Sequence, residues 1–211
     1  WLFYEAVKGD KGRIEVAEIL DGCRLSEPAV VLEDACHYSY PFVFHAGENW
    51  YMIPESSAAN EMRLYRAASF PLRWELQTVL LRGRSVDTTV ILHGGEYWLL
   101  TFLSDPDSER VLPRAFTVTD WNEPVLREVP WPKYDPMRVR GAGPVFPAGD
   151  EVLRPAQISQ AQRYGDGVIF YRPCFSDEYS ETPVFEVTER NLRIKGVFAD
   201  ALLGSTRLAA N

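Results

Sequence analysis

The chain has 211 residues, 46% of them apolar and 25% charged, with a formal net charge of −8. That is enough chain and enough apolar surface for one sizeable core. The acidic balance lacks the clustered Lys and Arg that phosphate binding needs, so nucleic acid is excluded as a partner, and no apolar run reaches the ~18 residues of a spanning helix.

The predicted elements are short strands from the start. Trp1-Leu2-Phe3-Tyr4-Glu5 reads as a strand and carries no basic leader-like region, so a cytoplasmic location is expected. Residues 37–56, HYSYPFVFHAGENWYMIPES, read as two strands joined by a turn. Pro41 opens the first of them, where a missing N–H costs little, and Glu55 closes the second. Further strands are read at Met62–Arg66, Trp74–Leu80, Val90–Leu92, Ala115–Thr119, Pro144–Phe146 and Gly165–Tyr171. No helical periodicity persists beyond two turns.

A repeat runs through these elements. Ala46-Gly47-Glu48-Asn49-Trp50-Tyr51, Gly94-Gly95-Glu96-Tyr97-Trp98-Leu99 and Ala148-Gly149-Asp150-Glu151-Val152-Leu153 share one pattern. Each is a small residue, Gly, an acid, a variable residue and two apolar residues. Gly before an acid between strand-like runs is a hairpin signal, because the tight turn needs φ > 0. The spacings of 48 and 54 residues suit propeller blades of four short strands. The expected fold is therefore an all-β, five-bladed β-propeller forming a single domain over 1–211, with blades near 1–35, 36–82, 83–130, 131–162 and 163–211. Trp1–Glu5 aligns with Trp50–Glu55, so the chain is expected to begin at the second strand of a blade, with that blade's first strand missing.

Residues at the start of innermost strands converge near one mouth of a propeller axis. The register puts Tyr40, Asp87 and Arg140 there. A carboxylate, a guanidinium and an aromatic face form a set that can hold a polyol. Asp87 with Glu55 is the candidate catalytic pair, since glycosidases place two carboxyl groups about 5–9.5 Å apart across the scissile bond. The alternative role for Glu55 is to hold a nearby cation or backbone N–H. Arg154 and Gln157, at the counterpart of Glu55 in the third copy, join the substrate-binding candidates. Cys23, Cys36 and Cys174 have neither disulfide-framework nor zinc spacing, and His37, His45 and His93 have no metal-ligand spacing. Neither a metal nor a cofactor is expected.

The segments HYSYPFVF, YMIPESSAANEMRLYRAASFPLRW, VDTTVILHGGEYWLL, LRPAQ, RYGDGVIFYR and YSE together resemble the N-terminal domain of glucosamine inositolphosphorylceramide transferases and its bacterial relatives. That domain is similar to the five-bladed propellers of glycoside hydrolase families 43 and 32. The resemblance runs from Trp1 to about Glu189. It implies a carbohydrate- or glycoconjugate-recognising propeller, accessory to a linked or associated transferase domain, with a sugar ligand as partner. Its LYRA and YSE motifs add Tyr65, Arg66 and Glu181 to the substrate-binding candidates. Asp87 resembles the orienting acid of the family-43 hydrolases, whereas Tyr40-Pro41 stands where those enzymes often keep Asp-Pro. The alternative implied activity is a family-43-type glycosidase using Asp87 and Glu55.

Overall fold

Strands and two short 3₁₀ turns make up the regular structure of a computed structural model that describes residues 1–105, 111–160 and 163–188. The strands fall into four antiparallel sheets in which consecutive strands are neighbours. The first sheet contains β1 (Leu2–Lys8), β2 (Lys11–Ala17) and β3 (Ala29–Leu32). The second contains β4 (Ser39–Ala46), β5 (Asn49–Glu55), β6 (Glu61–Ser69) and β7 (Arg73–Arg82). The third contains β8 (Ser85–His93), β9 (Glu96–Ser104), β10 (Val111–Val118) and β11 (Leu126–Val129). The fourth contains β12 (Phe146–Ala148), β13 (Glu151–Gln160), β14 (Arg163–Cys174) and β15 (Ser180–Thr188). Up-and-down sheets of this kind are the blades of a β-propeller.

The hairpin turns explain the repeat. Ala46 pairs with Asn49, His93 with Glu96 and Ala148 with Glu151. The two-residue turns are therefore Gly47-Glu48, Gly94-Gly95 and Gly149-Asp150. Gly47 (φ 58°) and Gly149 (φ 67°) take the left-handed conformation that such turns require at their first position. The pairing aligns Gly47 with Gly94, one residue away from the register read from sequence.

Contacts divide the chain into two compact units, Trp1–Val129 and Pro130–Asn211. In the first unit, the first strand of the second sheet, β4, packs against β8 of the third, and β5 also meets β8. β1 meets β4 as β5 meets β8. Between the second and third sheets lies a core of Tyr51, Ile53, Leu64, Leu99, Val118 and Trp121. Between the first and second lies another, of Ile14, Leu32, Tyr38, Met52 and Tyr65. Full burial of each such side chain contributes on the order of 1.5–3 kcal/mol. In the second unit, Ala156, Ile158 and Ile169 form a small core on the fourth sheet.

Four sheets are present among the described residues where five blades were expected. The difference lies after residue 130. Gly165–Tyr171, read as the opening of a further copy, belongs to β14, which pairs with both β13 and β15. Glycine in that strand marks a close backbone approach rather than a break between blades. A Cβ on Gly167 would stand 2.5 Å from the carbonyl oxygen of Val187. Residues 189–211 of the expected last blade lie outside the described residues.

Candidate functional site

The first unit carries the same backbone distortion twice. In the second sheet Ser39 pairs with Glu55 and Phe42 with Ile53. Tyr40 and Pro41 thus face Pro54 alone, which is a β-bulge. In the third sheet Val86 pairs with Phe102 and Thr89 with Leu100, so Asp87 and Thr88 face Thr101 alone. Tyr40 (φ 42°) and Asp87 (φ 51°) both sit in the left-handed region. A non-glycine residue held there costs on the order of 1–3 kcal/mol. Pro41 fits because a bulge leaves its missing N–H without consequence; it lies within β4 rather than opening it.

Bulges re-aim side chains and are over-represented beside active sites. These two occupy matching places on strands that pack together, β4 and β8. Asp87 is buried, with 6% of its surface exposed, and Tyr40 is half-buried. The Asp87 bulge is pinned from behind. Thr88 Oγ1 and Thr101 Oγ1 are 2.8 Å apart in a buried hydrogen bond, and Thr101 Oγ1 reaches the carbonyl oxygen of Val86 at 3.3 Å.

Glu55 ends β5 opposite Ser39, next to the Tyr40 bulge, and accepts a hydrogen bond from Ser57 Oγ at 3.3 Å. Tyr65 is placed elsewhere. It is buried between the first two sheets, with its hydroxyl 2.8 Å from that of Tyr38. Arg63 Nη1 donates to the Tyr38 hydroxyl at 2.8 Å, and that hydroxyl donates to Asp34 at 2.7 Å. Burial, with the hydrogen bonds to Tyr65 and Asp34, pushes the Tyr38 phenol far above its ordinary range. Arg66 is exposed on β6, across from Tyr51.

The second unit gathers Arg154, Gln157, Glu181 and Arg140. Gly141 faces Ala156 as the Tyr40 bulge faces Pro54, so the segment 140–142 holds the corresponding place in the fourth sheet. The backbone N–H of Gln157 donates to the carbonyl of Arg140 at 2.8 Å, and its side-chain Nε2 donates to that of Gly141 at 2.7 Å. Arg154 is buried on β13 and forms a two-pronged pair with Glu181. Its Nε donates to Oε1, and its Nη2 donates to Oε2 at 2.7 Å. Its Nη1 donates to the carbonyl of Val139 at 2.9 Å. The guanidinium carbon lies 5.4 Å from the ring centres of both Trp131 and Tyr171, a cation–π arrangement. Tyr179 donates from its hydroxyl to Glu181 Oε1 at 2.6 Å. Burial and the Glu181 charge hold that phenol well above its ordinary value. Desolvation works against the Arg154 charge, but Glu181 outweighs it and raises the Arg154 pKa.

Trp131, Tyr171 and Tyr179 were not singled out from sequence. One sequence signal pointed to Tyr179, which stands two residues from Glu181 and hence on the same face of extended chain; Tyr171 is revealed by the fold, where it stands directly across from Arg154 in the β13–β14 register. Among the described residues no group of His, Cys, Asp and Glu is arranged to hold a metal ion. No helix of the described residues is long and apolar enough to cross a membrane.

Comparison with known proteins bears on this geometry. Residues 1–197 match the family model described as glucosamine inositolphosphorylceramide transferase 1, N-terminal. Proteins named glucosamine inositolphosphorylceramide transferase 1 from Oryza sativa subsp. japonica and subsp. indica are 34% and 33% identical over 198 residues, covering 87% of this chain and 26% of each relative. One of the same name from Arabidopsis thaliana is 40% identical over 106 residues, covering 47% of this chain and 14% of the relative. The chain thus spans about a quarter of the length of the two rice relatives.

Proposed function

The chain belongs to the family of the N-terminal part of glucosamine inositolphosphorylceramide transferase 1, and on that premise we propose that it is a glycoconjugate-recognising β-propeller domain accessory to sugar transfer. In this reading the transfer chemistry belongs to a linked or associated domain, and the propeller holds the glycan or glycolipid headgroup. The reading carries with it a five-bladed ring like those of glycoside hydrolase families 43 and 32.

The observation that carries it is the pair of left-handed bulges at Tyr40 and Asp87 on adjoining strands. Two strained, matching distortions argue for side chains aimed for a purpose, because strain persists where the surroundings over-determine it. Asp87 would accept hydrogen bonds from sugar hydroxyls, and the Tyr40 ring would pack on the C–H face of the sugar. Glu55, beside the same bulge, is the further candidate at that site.

The test is binding of the 211-residue chain to an array of glycans and sphingolipid headgroups, repeated with Asp87→Asn. Asn tolerates the left-handed conformation, so the backbone is kept while the charge is removed. We expect at least one glycan to bind, and Asp87→Asn to weaken it by about tenfold or more, the equivalent of ~1.4 kcal/mol. No binding by the wild-type chain, or equal binding by the variant, overturns the reading.

A further inference from the structure

We infer that the second unit contains a ligand site of its own, fitted to a sugar or cyclitol ring that carries a phosphate. A cleft of about 490 Å³ is lined by Lys133, Tyr134, Asp135, Arg138, Tyr171 and Glu181, among others. That volume falls in the range of small-molecule sites. Every lining residue lies within the unit that begins at Pro130.

The groups divide into a fixed floor and an uncommitted rim. Glu181 makes the floor, locked from behind by its two-pronged pair with the buried Arg154 and by the Tyr179 hydroxyl. A buried ion pair contributes little net stability against apolar side chains of the same size. Its presence at the base of a cleft is better explained by what it offers a ligand. Glu181 Oε2 accepts one hydrogen bond, from Arg154, and retains a lone pair for a ligand hydroxyl.

The Tyr171 ring is held against the Arg154 guanidinium. Its hydroxyl makes no hydrogen bond with any described residue, although the ring lines the cleft. Tyr134 is 38% exposed and presents an aromatic surface. An aromatic surface, a free hydroxyl and a carboxylate acceptor suit the C–H surface and hydroxyls of a polyol ring.

The rim supplies the charge. Arg138 is shared between Glu186 at 3.1 Å and Asp135 at 3.8 Å. Lys133 makes no ion pair with any described residue, so its ammonium is the uncommitted cation of the cleft. A strongly hydrated point charge on a flexible stem is a common phosphate partner. A neutral sugar would leave that cation unused. A bare phosphate would leave the polyol acceptors unused.

This inference stands apart from the Tyr40–Asp87 reading, and its test separates the two. The 211-residue chain is titrated with glucose 1-phosphate, glucosamine 6-phosphate and myo-inositol 1-phosphate. Their unphosphorylated parents and inorganic phosphate are titrated in parallel. At least one phosphorylated ring is expected to bind about tenfold or more tighter than its parent and than inorganic phosphate. Lys133→Ala should abolish the advantage over the parent, and Tyr134→Ala should weaken phosphorylated ring and parent alike. Both side chains are exposed, so melting temperatures should not move. Asp87→Asn should leave this binding unchanged. The inference is overturned if no compound binds, if inorganic phosphate binds as well as the phosphorylated rings, or if binding ignores Lys133→Ala and Tyr134→Ala. Binding lost in Asp87→Asn but kept in Lys133→Ala would sink it while supporting the other site.

Discussion

Tyr179 shows how one hydroxyl links burial, charge and pH. Its ring is fully buried and its phenol donates to Glu181 Oε1. Desolvation and the Glu181 charge raise its pKa well above the ordinary 10.0. Above pH 10 the unfolded chain therefore releases a proton that the folded chain retains. The unfolded state then binds fewer protons, so stability falls as pH rises. The contribution is whole below pH 10 and is lost on the alkaline side. Tyr38 adds to the same trend, since its pKa is also raised by burial and by Tyr65 and Asp34. We expect Tyr179→Phe to cost roughly 1–3 kcal/mol at neutral pH, as befits a hydrogen bond to a charged group. Its stability curve should then approach the wild-type curve as the pH rises above 10. Urea unfolding across that range checks it, and parallel curves would contradict the assignment.

At the scale of the strands, two close approaches fix how neighbouring segments meet. Gly12 on β2 donates from its N–H to His37 Nδ1 at 2.9 Å and accepts from the Tyr38 N–H at 2.9 Å. A Cβ there would collide with the Tyr38 carbonyl oxygen and with Glu5. The segment leading into β4 is thereby locked against the first sheet. Gly167 plays the same part between β14 and β15. Gly12→Ala and Gly167→Ala should each cost about 1–3 kcal/mol through forced backbone displacement, measurable by denaturant unfolding. The hairpin turns were legible in the sequence because Gly followed by an acid has few other uses between strands. The bulges were not. Tyr40 and Asp87 look like ordinary strand residues, and only the pairing to Pro54 and Thr101 reveals the extra residue. For the same reason the turn register was read one residue out: Gly94-Gly95 offers two glycines, and the ladder chooses the first to match Gly47.

Across the whole molecule, the all-β blade architecture was legible, and the place where one sheet gives way to the next after residue 130 was not. A spacing near 50 residues reports the length of a blade. It does not report whether a glycine-rich stretch such as Gly165-Asp166-Gly167 ends one sheet or runs through it, and here it runs through. Arg140, Arg154, Gln157 and Glu181, the candidates after residue 130, are gathered within the second unit. Their partnership was hidden, because Arg154 and Glu181 meet only when β13, β14 and β15 are laid side by side. The division of contacts at Val129 has a measurable counterpart. Breaking the buried pair by Glu181→Gln should cost about 3–5 kcal/mol. Hydrogen exchange should accelerate over residues 130–188 and stay near its wild-type rate within Trp1–Val129. Acceleration of equal size in both units would show that they unfold as one.

Of the six tryptophans in the chain, only Trp131 lies beyond residue 129. Its ring stands 4.4 Å from that of Tyr179 and faces the Arg154 guanidinium. An indole so placed feels the electric field of the cation on its surface, and field sets the colour and yield of its emission. The floor of the cleft is thus wired to a native lamp, and any molecule that shifts Arg154 will be seen as a change in light before any label is attached.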